Sequence, residues 1–256
     1  MIKYNFLLYL ISPFLIIKLI FNAIYRKNGL NFIFSRLGLF NHKINDDSIW
    51  IHASSIGETK LAIKVYKKLQ LKYNNYLFII TTTTSSSAEL IKKLDGKIKH
   101  LYLPVDFHLS MSRFIKSINP KICIILETEI WPNLINICKK NNIPTVIINA
   151  RLSKKTLDTN KILKSIYKKS LPLITKILCK SDREKNNYIA LGADSSNTKT
   201  IGNLKFCETE NHEIKSNLIG RKYVLAASTH PGEEREIIVE WLRVHEKKLL
   251  LVVVPR

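Results

Sequence analysis

Two carboxylates one residue apart, Glu127 and Glu129, close an apolar run that extends from Ile122 to Leu126. A β-branched run that stops abruptly at acids has the texture of a buried parallel strand, and ligands of open α/β sheets bind at the carboxyl ends of such strands. Acids placed there can take or give a proton. They can also do something plainer, because a carboxylate complements the positive end of the helical pattern that begins near Leu134. A third acid has a similar setting. Trp50-Ile51-His52-Ala53-Ser54-Ser55-Ile56-Gly57-Glu58 reads as a strand, a small-residue turn allowed by Gly57, and a helix start. Glu58 falls in the first helical turn beside the Ser54 and Ser55 hydroxyls, where it can accept a proton from a substrate hydroxyl or act as an ordinary N-terminal acid.

Other polar groups follow the same grammar. Residues 81–87 close a second strand pattern with seven hydroxyls in succession, Thr83 among them. These suit either a polar ligand or a helix cap. Lys205 follows Ile201-Gly202-Asn203-Leu204, where an ammonium can stabilise developing negative charge. Ser228, Thr229 and His230 sit in another strand–loop–helix start, whose hydroxyls and free N–H groups can meet an anion. A single histidine there serves equally well as a structural hydrogen-bonder.

Positioning these groups requires a regular scaffold, and the chain supplies its pattern. Short β-branched runs at 49–53, 77–82, 98–103, 122–126, 145–148 and 175–179 alternate with helical stretches at 58–71, 86–93, 109–116, 134–140, 156–169 and 183–191. Strands alternating with helices imply βαβ units and a parallel sheet covered on both faces. Pro120, Pro144 and Pro172 punctuate the starts of strands, where they end helices without breaking a ladder. A polar, aromatic-dotted connector precedes this pattern at residues 28–47. A second unit begins near Arg221, with a strand at 223–227, a helix at 232–245 and a strand at 249–254.

Composition limits the partners. Hydrophobic residues make up 46% of the 256, with only eight glycines and eight prolines, which predicts a mostly folded chain. The formal charge of +21 favours a polyanionic partner, but the lysines are spread through nearly every segment. No zinc pattern, RNA-module signature or aromatic-interleaved basic stripe accompanies them, so nucleic acid is not expected as a partner. Cys123, Cys138, Cys179 and Cys207 are widely spaced, which signals neither disulfide nor metal site and fits a reducing cytoplasm. Cys123 and Cys138 sit in apolar contexts and read as small core residues.

The N-terminus differs from the rest. From Phe6 to Ile24 the chain is almost continuously apolar, about the ~20 residues that cross a hydrocarbon core. Pro13 and Lys18 interrupt it, so a helix lying in the membrane surface, or an amphipathic helix of the domain itself, suits the same residues. Arg26 and Lys27 follow it, placing the globular part on the cytoplasmic face.

In order along the chain stand His52-Ala-Ser-Ser-Ile-Gly-Glu58, Leu103-Pro-Val-Asp106, Glu127-Thr-Glu-Ile-Trp-Pro-Asn133 and Asn149-Ala-Arg-Leu-Ser153. Gly202-Asn-Leu-Lys-Phe206, Ala227-Ser-Thr-His-Pro-Gly-Glu-Glu234 and Val254-Pro-Arg256 complete the set. Together these segments resemble the 3-deoxy-D-manno-octulosonic acid (Kdo) transferases of lipopolysaccharide assembly. The resemblance implies a two-domain α/β fold of the GT-B type, with an anchor helix over 1–27 and an acceptor-binding Rossmann-like domain over 28–210. Residues 211–256 would begin the CMP-sugar-binding domain. It implies an inverting, metal-independent transfer of Kdo from CMP-Kdo to the lipid A precursor (lipid IVA), with no further cofactor, at the cytoplasmic face of the inner membrane. Glu58 matches the family's proton acceptor, and Glu127 and Lys205 its charge-stabilising positions. Glu129 is left to the helix start. Ser54, Ser55, Thr83 and Arg151 fall to the acceptor, and Ser228, Thr229, His230, Pro255 and Arg256 to the donor. Cys207 departs from the aspartate usual after the Lys-Phe pair. Family members continue well past the Pro-Arg pair, so the chain reads as C-terminally truncated. The competing expectation is a non-catalytic, membrane-associated acceptor-binding protein.

Overall fold

The computed structural model describes residues 2–25, 29–39, 43–206, 219–244 and 249–256. Arg26, Lys27 and Cys207, singled out in the sequence, lie outside the described residues. The chain forms two compact units, Met1–Cys207 and Glu208–Arg256.

The first unit opens with two helices, α1 (Ile2–Tyr25) and α2 (Gly29–Arg36). Alternating elements follow: β1 (Ser48–His52), α3 (Ile56–Lys72), β2 (Leu77–Thr82), α4 (Ser85–Lys92), β3 (Ile98–Tyr102) and α5 (His108–Ile118). Next come β4 (Pro120–Leu126), α6 (Pro132–Lys140) and β5 (Thr145–Ala150). The unit ends with α7 (Lys154–Leu157), α8 (Lys161–Ser170), β6 (Lys176–Cys179), α9 (Asp182–Ala190) and β7 (Thr198–Thr200). All neighbouring strands pair in parallel, in the order β3-β2-β1-β4-β5-β6-β7.

That order reverses direction between β1 and β4. A parallel sheet wound outward in both directions from such a point leaves a crevice above the carboxyl ends of the two central strands. The central strands are apolar on both faces because helices cover both. On one face Trp50, Ile79, Cys123 and Ile125 meet Met111 and Phe114 of α5 and Leu134 and Cys138 of α6. On the other, Ile49, Ile51, Phe78, Ile80 and Leu126 meet Leu61 and Tyr66 of α3. Register is therefore strongly specified, since a one-residue slip would exchange the two faces of every strand.

Three expectations need correction. The helix expected over 156–169 is broken in two. Asn160 caps α8 by accepting from the Leu163 N–H at 2.9 Å, and Ser153 caps α7 through the Thr156 N–H. Short polar side chains that bond their own backbone compete with a continuous helix, so the break falls at Asp158-Thr159-Asn160. The connector expected at 28–47 contains α2, which buries Phe32 edge-on against Tyr102. Gly57 serves no turn: it is an ordinary residue inside the first turn of α3, whose cap is Ser55.

Helix α1 is long and apolar enough to cross a membrane by length and composition. It also packs on the first unit. Tyr4 and Leu8 cluster with Ile166, and Leu19 and Ala23 with Phe32 and Val105.

One glycine matters locally. Gly38 ends the Ser35-Arg36-Leu37-Gly38 turn at φ 78°, and a Cβ there would fall 2.6 Å from the Ser110 backbone. Ser110 holds the turn through its hydroxyl, which donates to the Leu37 carbonyl at 2.7 Å. Gly38→Ala combines left-handed strain with a backbone clash, and about 2–4 kcal/mol of stability should be lost. A lowered urea midpoint at unchanged slope would register it.

Candidate active site

Glu127 follows the last residue of β4 and is buried, at the mouth of the crevice. Its backbone is left-handed, φ 59°, a conformation that costs a bulky residue energy and tends to mark functional sites. The strain points the carboxylate at two cations. Arg151 Nε lies 2.8 Å from one oxygen and Lys205 Nζ 3.2 Å from the other. Both cations are about half exposed, so the trio sits between the core and the open cleft.

Neighbouring elements lock this arrangement. Asn149, itself at φ 53° on an irregularity of β5, donates from Nδ2 to Glu127 at 3.5 Å and accepts the Leu204 N–H on Oδ1 at 3.2 Å. It thereby ties the acid to the turn that carries Lys205. The buried Tyr188 hydroxyl reaches the carbonyls of both Glu127 and Arg151, at 3.3 and 3.4 Å.

Glu58 stands across the switch point, in the first turn of α3 after β1. One carboxylate oxygen accepts the Ser54 N–H at 2.7 Å and the other the Ser55 hydroxyl at 3.0 Å. Ser55 in turn accepts the Glu58 N–H at 3.3 Å, so the acid takes part in a reciprocal helix cap. Capping does not exhaust its chemistry. Burial raises the Glu58 carboxyl above its ordinary range, and the charges of Glu129 and Glu127 raise it further against the pull of its Ser54 and Ser55 donors. A carboxylate with raised proton affinity is a better base.

Glu129 does not start a helix. Helix α6 begins at Pro132, and no acid lies in its first turn. Glu129 instead faces the buried His52, with 3.9 Å between Oε2 and Nε2. Burial alone would raise this carboxyl, but His52, Ser54 and Trp131 together hold it below its usual range. Asp106 takes the capping role: its two oxygens accept the Asn133 and Leu134 N–H groups at 2.8 and 2.9 Å. Asp106 and Asn149 stood in the family segments without a role and Tyr188 was not marked at all, because their partners are distant in sequence and meet only in the fold.

The residues expected to hold an acceptor divide. Ser54 and Thr83 come together, their hydroxyls 3.2 Å apart, on the wall of a cavity of about 570 Å³. Glu129, Arg36 and Lys18 also line it, with Leu8, Leu15 and Leu19 of α1 as its apolar side. Ser55 is turned into the α3 cap, and Arg151 is engaged by Glu127. Of the residues lining this cavity, Trp131 and Arg36 each bury a nitrogen, Nε1 and Nε, without a hydrogen-bond partner among the described residues. Unpaired buried nitrogens around a cavity are suited to a polar ligand. Among the described residues, no group of three or more His, Cys, Asp or Glu side chains is placed to hold a metal ion.

The second unit consists of β8 (Tyr223–Thr229), α10 (Glu233–Val244) and β9 (Leu250–Pro255). The two strands pair in parallel with Thr229 opposite Pro255, and the Arg256 N–H donates to the Thr229 carbonyl at 3.1 Å. Ser228, Thr229, His230, Pro255 and Arg256 therefore share one strand end. Ser228 adopts φ 62° at a β-bulge there. The N–H groups expected to be free are partly used: the His230 N–H donates to Glu233 at 2.8 Å, and the Thr229 hydroxyl to Glu234 at 2.7 Å.

A seven-stranded parallel sheet with acids after both strands of its switch point defines a Rossmann-like α/β unit of the GT-B kind. The fold matches the UDP-GlcNAc 2-epimerase of Neisseria meningitidis with a TM-score of 0.51 at 14% identity, covering 82% of this chain and 72% of that one. Residues 32–208 match the 3-deoxy-D-manno-octulosonic-acid transferase family. The Kdo transferase of Haemophilus influenzae is 36% identical over 81% of this chain and 51% of its own length. That of Rickettsia bellii is 28% identical over 99% and 62%. This chain belongs to the Kdo transferase family. It spans about half the length of the curated relatives it matches.

Proposed function

We propose that the chain takes part in transfer of Kdo from CMP-Kdo to a hydroxyl of the phosphorylated, acylated glucosamine disaccharide that precedes lipid A. The observation that carries this reading is the placement of Glu58 and Glu127 after β1 and β4, on either side of the switch point. Glu58 removes the proton of the attacking acceptor hydroxyl. The new bond forms at the anomeric carbon of Kdo as its bond to the CMP phosphate oxygen breaks, on the opposite face, with inversion. Lys205, held by Glu127 and half exposed, supplies positive charge to the developing anion. Ser54 and Thr83 line the acceptor cavity, and the strand end at Ser228–His230 and Pro255-Arg256 takes the CMP moiety. Family membership and the apolar α1 support activity at the inner membrane, with the globular part on its cytoplasmic face.

The test is Kdo transfer from CMP-Kdo to this acceptor, read by mass spectrometry of the lipid product. Lys205→Met should lower the rate by about 10²–10³. Its thermal midpoint should fall only modestly, because buried Glu127 keeps its 2.8 Å partner Arg151 when the half-exposed Lys205 ammonium is lost. Saturable acceptor binding without any turnover would instead identify an acceptor-binding protein.

A further inference from the structure

Helix α1 is apolar on two opposite faces. One face is docked: Tyr4 and Leu8 pack near its start, and Leu19 and Ala23 near its end. The Tyr4 hydroxyl donates to Asp106 at 2.9 Å, and Asn5 Oδ1 accepts from Asn133 Nδ2 at 2.7 Å. The other face is bare. Phe6, Leu10, Phe14, Ile17, Phe21 and Ile24 recur at three- and four-residue intervals, which places them in one stripe, and each is between 54% and 75% exposed.

From Tyr4 to Ala23 the axis advances about 28 Å, close to the ~30 Å of a hydrocarbon core. A helix crossing the bilayer would carry its ends to opposite headgroup layers. Both ends of α1 grip the same domain, so crossing would either pull that domain into hydrocarbon or strip Asp106 and Asn133 of their partners. A free apolar stripe opposite a docked one fits a helix lying in the plane of a surface. Cations cluster at one end of the helix. Lys3 at its start, with Lys161 and Lys169 of α8, lines a cavity of about 420 Å³ beside Ile162 and Ser165.

We propose that α1 lies flat in the headgroup layer of an anionic bilayer, with its free stripe inserted and its opposite face fixed to the domain. Lys3, Lys161 and Lys169 meet lipid phosphates at one end. The same helix forms the apolar wall of the cavity that holds Ser54, Thr83 and Glu129. An acylated ligand would thus pass from the membrane into the cleft along α1. The inference rests on the membrane association proposed above and adds its geometry.

The test places a fluorophore on single cysteines at Phe6→Cys, Phe14→Cys and Phe21→Cys of the full chain in phosphatidylglycerol–phosphatidylcholine vesicles. The labelled parent chain sets the background. Nitroxide lipids quench from the headgroup or from the chain end. The in-plane helix gives equal, shallow depth at all three positions, and Phe14→Glu lowers partitioning by about tenfold. Removing phosphatidylglycerol weakens binding by about tenfold or more. A label deepest at position 14 with both flanks at headgroups means a spanning helix and overturns the proposal. Labels shielded from every quencher mean a protein partner or second copy on this face, and overturn it too. None of these signals depends on sugar transfer, so the depth profile and the transfer reading fail separately.

Discussion

Glu58→Gln is expected to lower the rate of Kdo transfer by about two to four orders of magnitude, the range for loss of a positioned general base. The substitution isolates proton transfer because the amide can repeat the existing contacts. Its oxygen accepts the Ser54 N–H and its NH2 group meets Ser55, so the α3 cap survives. Thermal stability should therefore change little, while Glu58→Ala adds the loss of a cap partner, about 1 kcal/mol. The pH profile supplies the second readout. Burial raises the Glu58 carboxyl, and Glu129 and Glu127 raise it further. The base must be ionised to act, so the acid limb of kcat/KM should lie above the ordinary carboxylate value. Glu129→Gln removes one of the facing charges and should move that limb to lower pH. A Glu58→Gln rate within threefold of the parent would remove Glu58 from the mechanism.

How much of this was legible before folding varies by residue, for physical reasons. The strands at 49–53, 77–82 and 122–126 were plain, because helices on both sheet faces require continuous apolar runs. Glu58, Glu127 and Lys205 were visible as polar groups at strand ends and as parts of a family pattern. Their pairing was not, since the strand order that sets β1 beside β4 leaves no local trace. Arg151 illustrates the point: it stood as an acceptor ligand, yet its guanidinium closes on Glu127. Left-handed backbone at Glu127, Asn149 and Ser228 was equally hidden, because nothing local favours it at Glu or Ser. Helix α1 read as an anchor because composition counts apolar residues without showing which face is already occupied.

The other large expected effect concerns Asp106. This fully buried carboxyl group receives the Asn133 and Leu134 N–H groups and the Tyr4 hydroxyl, joining the loop after β3 to α1 and to the first turn of α6. Asp106→Ala strands three donors, and each buried group left unsatisfied costs about 1–3 kcal/mol. Asp106→Asn keeps one acceptor oxygen and should fall between. The two carboxyl states can be told apart by pH. Burial pushes the Asp106 carboxyl from an ordinary 3.8 to about 7, against the pull of its three donors. The folded chain then holds a proton that the unfolded chain has released, so this group's stabilisation is complete below about pH 4 and is lost as pH rises through 7. His100 has the opposite dependence. Burial lowers its imidazole from 6.5 to about 4, so its contribution is full above pH 6.5 and fades as pH falls toward 4. The wild-type curve mixes both trends, but His100 is common to parent and Asp106→Asn and cancels in their difference. Urea unfolding of the pair should show the parent's advantage shrinking by about 2–3 kcal/mol between pH 5 and 8, at roughly 1.4 kcal/mol per unit of pH below 7. An advantage that stays constant or grows with pH would mean that Asp106 is ionised throughout, and that its three donors outweigh its burial.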